Sequence, residues 1–279
     1  MTKHQICLDT SQNFYEGLSR AFRDPNLTVI EADLSRIHYI FPWQLTLAAC
    51  LKACCLGKAE LSFQWNRAKK YQNEIASYAD RMGLFSGMQE ADHVLAKDLR
   101  ADFNPENFFE IHPIHNGNEE ELKVELKRLL SRFPTVPNEL FEILEELSEN
   151  IRMHSGINPR SGWGYVQAQT TASKLRIAFC DFGVGFYKGF HRENLLNGRS
   201  PKEMLELSLD SYSSQPKATG KDKQKGLARL CRYLDDHHGS MEVFSDSLRC
   251  RYLSRKKSTS VLGYRTKGSL ISIEVPLNR

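Results

Sequence analysis

Leu140, Phe141, Ile143, Leu144, Leu147 and Ile151 recur mostly at helical spacing, so the stretch opened by Pro137 reads as one amphipathic helix with a buried stripe. Glu146, Asn150 and His154 stand four apart on that helix, which puts a carboxylate, an amide and an imidazole on one narrow strip. Alone, such a strip reads as a solvated face. Two strands are expected next, Trp163–Thr170 and Lys174–Asp181, the second with Leu175, Ile177 and Phe179 alternating. It runs into Asp181-Phe182-Gly183-Val184-Gly185-Phe186. After a polar stretch, Lys223-Gln224-Lys225-Gly226-Leu227 precedes a helix reaching about His237, and further strands end with Gly268–Pro276.

The first part of the chain alternates strand and helix patterns. Thr28–Leu34 is expected as a strand, Phe41-Pro42-Trp43 opens a helix to about Leu56, and Ala59–Trp65 alternates like a second strand. Ala68–Met82 is helical again, with Gly83 as its C-cap. Strand, crossover helix and strand imply a parallel pair. Ser86–Pro137 carries turn signals around one charged helix, Glu119–Arg132, whose acidic start and basic end match the helix dipole. His112 and His115 in this stretch lack further ligands nearby and read as surface residues. Residues 1–88 are therefore expected as an α/β domain, 89–136 as a helical connector, and 137–279 as a second domain.

At 279 residues the chain is comfortable for two domains, and 41% hydrophobic with 26% charged residues is a soluble, globular composition. No apolar run approaches the roughly 20 residues that span a bilayer, and the N-terminus lacks an apolar secretory core. Seven cysteines without a C-x-x-C pair argue against a disulfide framework or zinc site and point to a reducing cytoplasm. The net charge of +4 hides an asymmetry: Asn104–Asn150 holds 11 acidic and 4 basic residues, Pro216–Lys267 13 basic and 5 acidic. The basic half suits nucleic acid, or a polyphosphate held inside the protein. Charge alone favours neither.

Over Glu139–Leu277 the ordered motifs resemble the GHKL family of ATP-binding domains, which includes gyrase-type topoisomerases, heat-shock chaperones, histidine kinases and anti-sigma-factor kinases. The resemblance implies that Glu146 orients or deprotonates the attacking group and that Asn150 holds the magnesium ion. It implies that Asp181 accepts the adenine amino group, with Gly183 and Gly185 letting backbone pass close to the base. Lys225, Gly226 and Leu227 would cradle phosphates, and Ser269, after Gly268, would support the adenine contact. These residue types suit the chemistry independently. Magnesium prefers oxygen ligands, and a helix N-terminus after a glycine presents N–H groups to phosphate. No P-loop sequence occurs. Gln224 and Ala228 occupy places where the family's phosphate turn has glycine, and no pair of long helices precedes Glu139 to carry a phospho-accepting histidine. The role of His154 stays open between a site contact and a helix end.

Leu27–Phe85 resembles a STAS domain, the fold of anti-sigma-factor antagonists, through the strand, the Asp33-Leu34-Ser35 turn and the following helix. Phe41-Pro42-Trp43-Gln44 stands where those antagonists carry a phosphorylatable serine. The expected fold is α/β (an α+β sandwich), with a STAS-like unit followed by a GHKL (Bergerat-type) domain whose mixed sheet is covered by helices. The expected function is an ATP- and Mg2+-binding regulatory protein that hydrolyses ATP slowly or uses it to switch a protein partner. The alternative is a protein-serine/threonine kinase of the anti-sigma-factor type. A homodimer and nucleic-acid binding are further options, the latter weakly supported, and no membrane association is expected.

Overall fold

The computed structural model describes residues 2–21, 23–55, 59–85, 108–133, 136, 138–154, 164–171, 173–192, 194–210 and 226–277. Its first sheet is parallel, in the order β1 (Thr2–Cys7), β2 (Leu27–Asp33), β3 (Glu60–Gln64), with α1 (Ser11–Ala21) and α2 (Pro42–Cys55) as crossovers and α3 (Lys70–Arg81) following. The expected parallel pairing of the second and third strands is present. β1 and α1 precede the elements expected from the sequence. Only Ile6 of β1 is fully buried, so this strand has no alternating pattern to read. Gly83, with φ of 82°, ends the last turn of α3 and donates to the Asp80 carbonyl at 2.9 Å.

α2 decides how the chain is assembled. It is apolar nearly all round, and a helix of that kind belongs in an interior. It lies between β3 on one side and β5 (Gly164–Thr170), β6 (Lys174–Asp181) and β10 (Ser269–Pro276) of a second sheet on the other. The Cys50 thiol meets the Cys180 carbonyl at 3.3 Å, and one core joins Ile6, Leu45 and Phe85 to Cys180, Phe182 and Leu270. The outward face of the small sheet is polar, with Lys3 paired to Glu31 at 2.6 Å and Gln5 donating to Asp33 at 3.1 Å.

The second sheet has seven strands in the order β4 (Phe108–Ile114), β5, β6, β10, β7 (Ser240–Ser245), β8 (Leu248–Leu253), β9 (Lys256–Val261). The expectation of a mixed sheet is corrected: every pairing is antiparallel. Tight hairpins join β5 to β6, β7 to β8 and β8 to β9, which forces neighbours to run oppositely. β4 is a strand inside the stretch expected as a helical connector. Its register shift between Phe109 and His112, and Pro113, confine it to the edge and hide the alternation. The helix expected after it is present as α4 (Glu119–Leu130).

α4, α5 (Asn138–His154) and α8 (Leu227–Asp236) cover the other face of this sheet, with α6 (Phe186–Arg192) and α7 (Pro201–Asp210) between β6 and α8 in the chain. Leu140, Ile143, Leu144, Leu147 and Ile151 are all buried there against Val166, Ile177, Phe179 and Ile273. Pro137, expected as the helix start, lies outside the described residues. The layers run small sheet, helices, large sheet, helices. Among the described residues no helix is long and apolar enough to cross a membrane.

Candidate functional site

Strand register places one row of residues across the end of the large sheet. Gly164 lies opposite Asp181, Asp181 opposite Ser269, and Ser269 opposite Ser245. Directly opposed residues share a face, and alternation from Phe179, Ile271 and Val243 puts this row on the side of α5 and α8. Asp181 is 5% exposed. Its Oδ1 accepts the Gly183 N–H at 2.7 Å, and Ser269 donates to it from both hydroxyl and backbone. Burial nonetheless pushes the carboxyl up to about 7, outweighing the hydrogen bonds that pull it down.

The second group sits on α5 and the start of α8. Gly226 precedes α8 with φ of 70° and ψ of −133°, a conformation that suits glycine. A Cβ there would stand 3.5 Å from Asn150 Nδ2 and 4.0 Å from Glu146 Oε1. The backbone that opens α8 therefore passes directly over the strip formed by these two side chains. Arg229, in the first turn of α8, pairs with Glu142 and reaches Glu139 at 3.5 Å. Glu142 is four residues before Glu146, so the acidic strip extends one turn further and tethers α8. Leu227 is buried in the core and anchors the helix rather than facing the strip.

Gly164 joins the two groups. A Cβ on it would lie 2.5 Å from the Cys180 carbonyl oxygen, 2.8 Å from Ile151 Cγ2 and 3.3 Å from Asp181 Cβ. The residue after Asn150 thus rests beside Asp181, an approach only glycine permits. Of the sequence-expected residues, Asp181, Gly183 and Ser269 come together, as do Glu146, Asn150 and Gly226. Gly185 is held to one side. Lys225 and the side chain of His154 lie outside the described residues.

Gly185 has φ of 79° and is clasped by the β7–β8 turn. The Phe186 N–H donates to the Ser245 hydroxyl at 2.8 Å and the Tyr187 N–H to Asp246 Oδ2 at 3.1 Å, which caps α6. The Asp246 carbonyl accepts both the N–H and the hydroxyl of Thr266, so the same residue fixes the approach to Gly268. Sequence reasoning misses Gly164, Ser245, Asp246 and Thr266. The one available signal is the Ser245-Asp246-Ser247 run, a common turn composition. Asp246 also has φ of 57°, tolerated by Asp and Asn but costly for Ala. Asp246→Ala is expected to lose about 2 kcal/mol, from the cap and the backbone together. Asp246→Asn should stay within about 0.5 kcal/mol of the parent. Urea unfolding midpoints at constant m-value check both.

Compared with known proteins, the chain matches no family model and no curated sequence.

Proposed function

We propose that the chain is an ATP- and magnesium-binding regulatory protein, with a GHKL-type (Bergerat) nucleotide domain behind a STAS-like first unit. The observation that carries this reading is the convergence described above. Gly226 and the start of α8 meet Glu146 and Asn150, while Asp181 and Ser269 sit one residue contact away through Ile151 and Gly164. Scattered motifs that meet at one end of a sheet favour one ligand with a base end and a phosphate end.

The residues fit that ligand. A buried carboxylate with several lone pairs has acceptor capacity beyond Gly183 and Ser269, which suits an adenine amino group. Gly226 brings N–H groups of a helix start over the acidic strip, where magnesium would offset the charge between carboxylate and phosphates. Among the described residues no three His, Cys, Asp or Glu side chains form a metal site, so a cation at Asn150 would take most ligands from phosphate and water. Bound ATP with magnesium supplies a phosphoanhydride open to attack. Glu146 would take the proton from the attacking water, and Asn150 would hold the phosphate end in line. Hydrolysis is slow, or ATP serves as a switch for a protein partner.

A protein partner is favoured over nucleic acid because, among the described residues of the basic half, several cations are already paired. Arg249 and Arg251 pair with Glu242, Lys257 with Asp210, and Arg229 with α5. The start of α2 is also closed: Gln44 is 2% exposed and Arg176 lies 5.2 Å from the Phe41 ring centroid. A phosphorylation switch at that point, as in STAS antagonists, is not supported. Among the described residues no cysteine is in a disulfide, which suits a reducing cytoplasm.

Saturating Mg-ATP, at about 100 times its dissociation constant, should stabilise the protein by about 2.7 kcal/mol. Asn150→Ala and Asp181→Asn should each remove most of that stabilisation in a thermal melt. If both retain the full shift, the ATP reading is wrong. Glu146→Gln should keep the shift and lose phosphate release by about a hundredfold.

A further inference from the structure

Asp181, Ser269 and Ser245 face α5, but their chain neighbours face the opposite way, into the N-terminal unit. Phe182, adjacent to Asp181, packs against Phe14 of α1 with centroids 6.5 Å apart. Phe244, adjacent to Ser245, meets Tyr15 at 5.9 Å. Tyr264, two residues before Thr266, stacks on the same Tyr15 at 6.2 Å with 20° between the rings. Phe14 and Tyr15 pack edge to face at 5.4 Å.

Two consecutive residues of one helix therefore touch all three segments that frame the Asp181 row from behind. These are the end of β6, the β7–β8 turn and the link into β10. All five rings are buried, and such close-packed interiors transmit displacement rather than absorb it. The contact is not the best that stability alone would select. Among the described residues the buried hydroxyls of Tyr15 and Tyr264 have no hydrogen-bond partner, a cost that phenylalanine would avoid. α1 in turn sits tightly on β1, since a Cβ on Gly17 would stand 3.3 Å from Ile6 Cγ2.

We infer that α1 is part of the nucleotide site: Phe14 and Tyr15 are positioning residues that set the Asp181 pocket from behind and couple its occupancy to the N-terminal unit. The inference rests on the ATP reading given above. The rings act through Phe182, Phe244 and Tyr264 and touch no ligand themselves. Coupling of this kind is reciprocal, so whatever tightens the Asp181 turn tightens α1, and loosening α1 weakens the nucleotide. Only the base end is involved, because Phe182 and Phe244 are the chain neighbours of Asp181 and Ser245, whereas none of the rings adjoins Glu146, Asn150 or Gly226 in the chain.

Amide hydrogen exchange on the full chain, with and without saturating Mg-ATP, tests the coupling. Protection is expected both at Asp181–Gly185 and within Ser11–Ala21. Protection at Asp181–Gly185 with α1 unchanged overturns the coupling and leaves the ATP reading standing; no protection at either place overturns both. A second measurement separates positioning from mere structural support. Phe14→Leu should weaken ATP about tenfold, the scale of ordinary coupling free energies, while magnesium tripolyphosphate binds as before. Tyr15→Phe, which keeps the stack, should retain ATP affinity. Equal loss of ATP and tripolyphosphate in Phe14→Leu, or no loss of either, overturns the positioning role.

Discussion

Gly268→Ala should destabilise the protein by at least about 4 kcal/mol, a melting-temperature drop on the order of 10 °C, and it is the most damaging single-methyl change expected in the site. Gly268 has φ of 75°, and a Cβ on it would stand 2.0 Å from the Asp181 carbonyl oxygen and 2.6 Å from Phe182 Cα. Those neighbours are backbone atoms in the β6–β10 pairing, so they cannot swing aside as a side chain would. Two other glycines separate the causes. Gly83 has φ of 82° but open space around it, so Gly83→Ala reports the backbone term alone, about 1–2 kcal/mol. Gly263 has neither a left-handed φ nor an atom within 4 Å, and Gly263→Ala should stay within about 0.5 kcal/mol. Thermal melts of the three variants should rank Gly263, Gly83, Gly268. A Gly268→Ala protein no less stable than Gly83→Ala would mean that β6 and β10 do not approach each other this closely.

The glycine's role was half legible in the sequence. Gly268-Ser269 reads as the start of a strand, and only the register that sets Ser269 opposite Asp181 reveals the carbonyl behind it. Helices and strands with a clean apolar period, such as α5 and β6, can be read locally because one face meets the core along their whole length. β1 cannot, since Lys3 and Gln5 lie on an open polar face and leave Ile6 as its single fully buried residue. β4 is masked by His112 and Pro113. The expectation of a mixed sheet fails because the β4–β5, β6–β10 and β10–β7 pairings are closed by no tight hairpin, and local turn composition does not fix their direction.

The candidate site shows the same division. Glu146 and Asn150 are separated by one helical turn, so their shared strip follows from spacing. Gly226 is far from them in sequence, and its place over that strip depends on how α8 packs on α5. Ser245 and Asp246 look like any polar hairpin turn until the Phe186 and Tyr187 N–H groups are found on them. The docking of α1 and α2 behind the site is legible only indirectly. α2 is apolar on too many sides for a helix that covers one small sheet, and that excess is the trace of the second sheet it also covers.

Asp181→Asn should make the protein's stability less dependent on pH. The carboxyl is held at about 7 in the folded chain against an ordinary value of 3.8. Below about pH 4 it is protonated in both states and contributes no difference. As pH rises from about 4 to 7, the unfolded chain ionises while the folded one resists, so stability falls across this window and then levels off. The full difference is on the order of 4 kcal/mol at 1.36 kcal/mol per pH unit. Asparagine is nearly isosteric, can accept the Gly183 N–H and cannot ionise. The variant's advantage over the parent should therefore grow from near zero at about pH 4 to several kcal/mol at about pH 8, measured by urea unfolding. A flat difference would show that the carboxyl titrates normally.

A group that weakens the fold at neutral pH calls for a reason in function. On the ATP reading, an adenine amino group donates to this carboxylate and favours its charged form. Binding should then release a proton, and adenosine, which has no phosphate to titrate, should bind more tightly as pH rises towards 7, by up to about tenfold per pH unit. Asp181→Asn should bind weakly at every pH. Calorimetric titration of adenosine between about pH 6 and 8 distinguishes the cases. An affinity that falls with rising pH would mean that the protonated carboxyl is the form that meets the ligand, and the base would then have to accept a hydrogen bond from Asp181 rather than donate one.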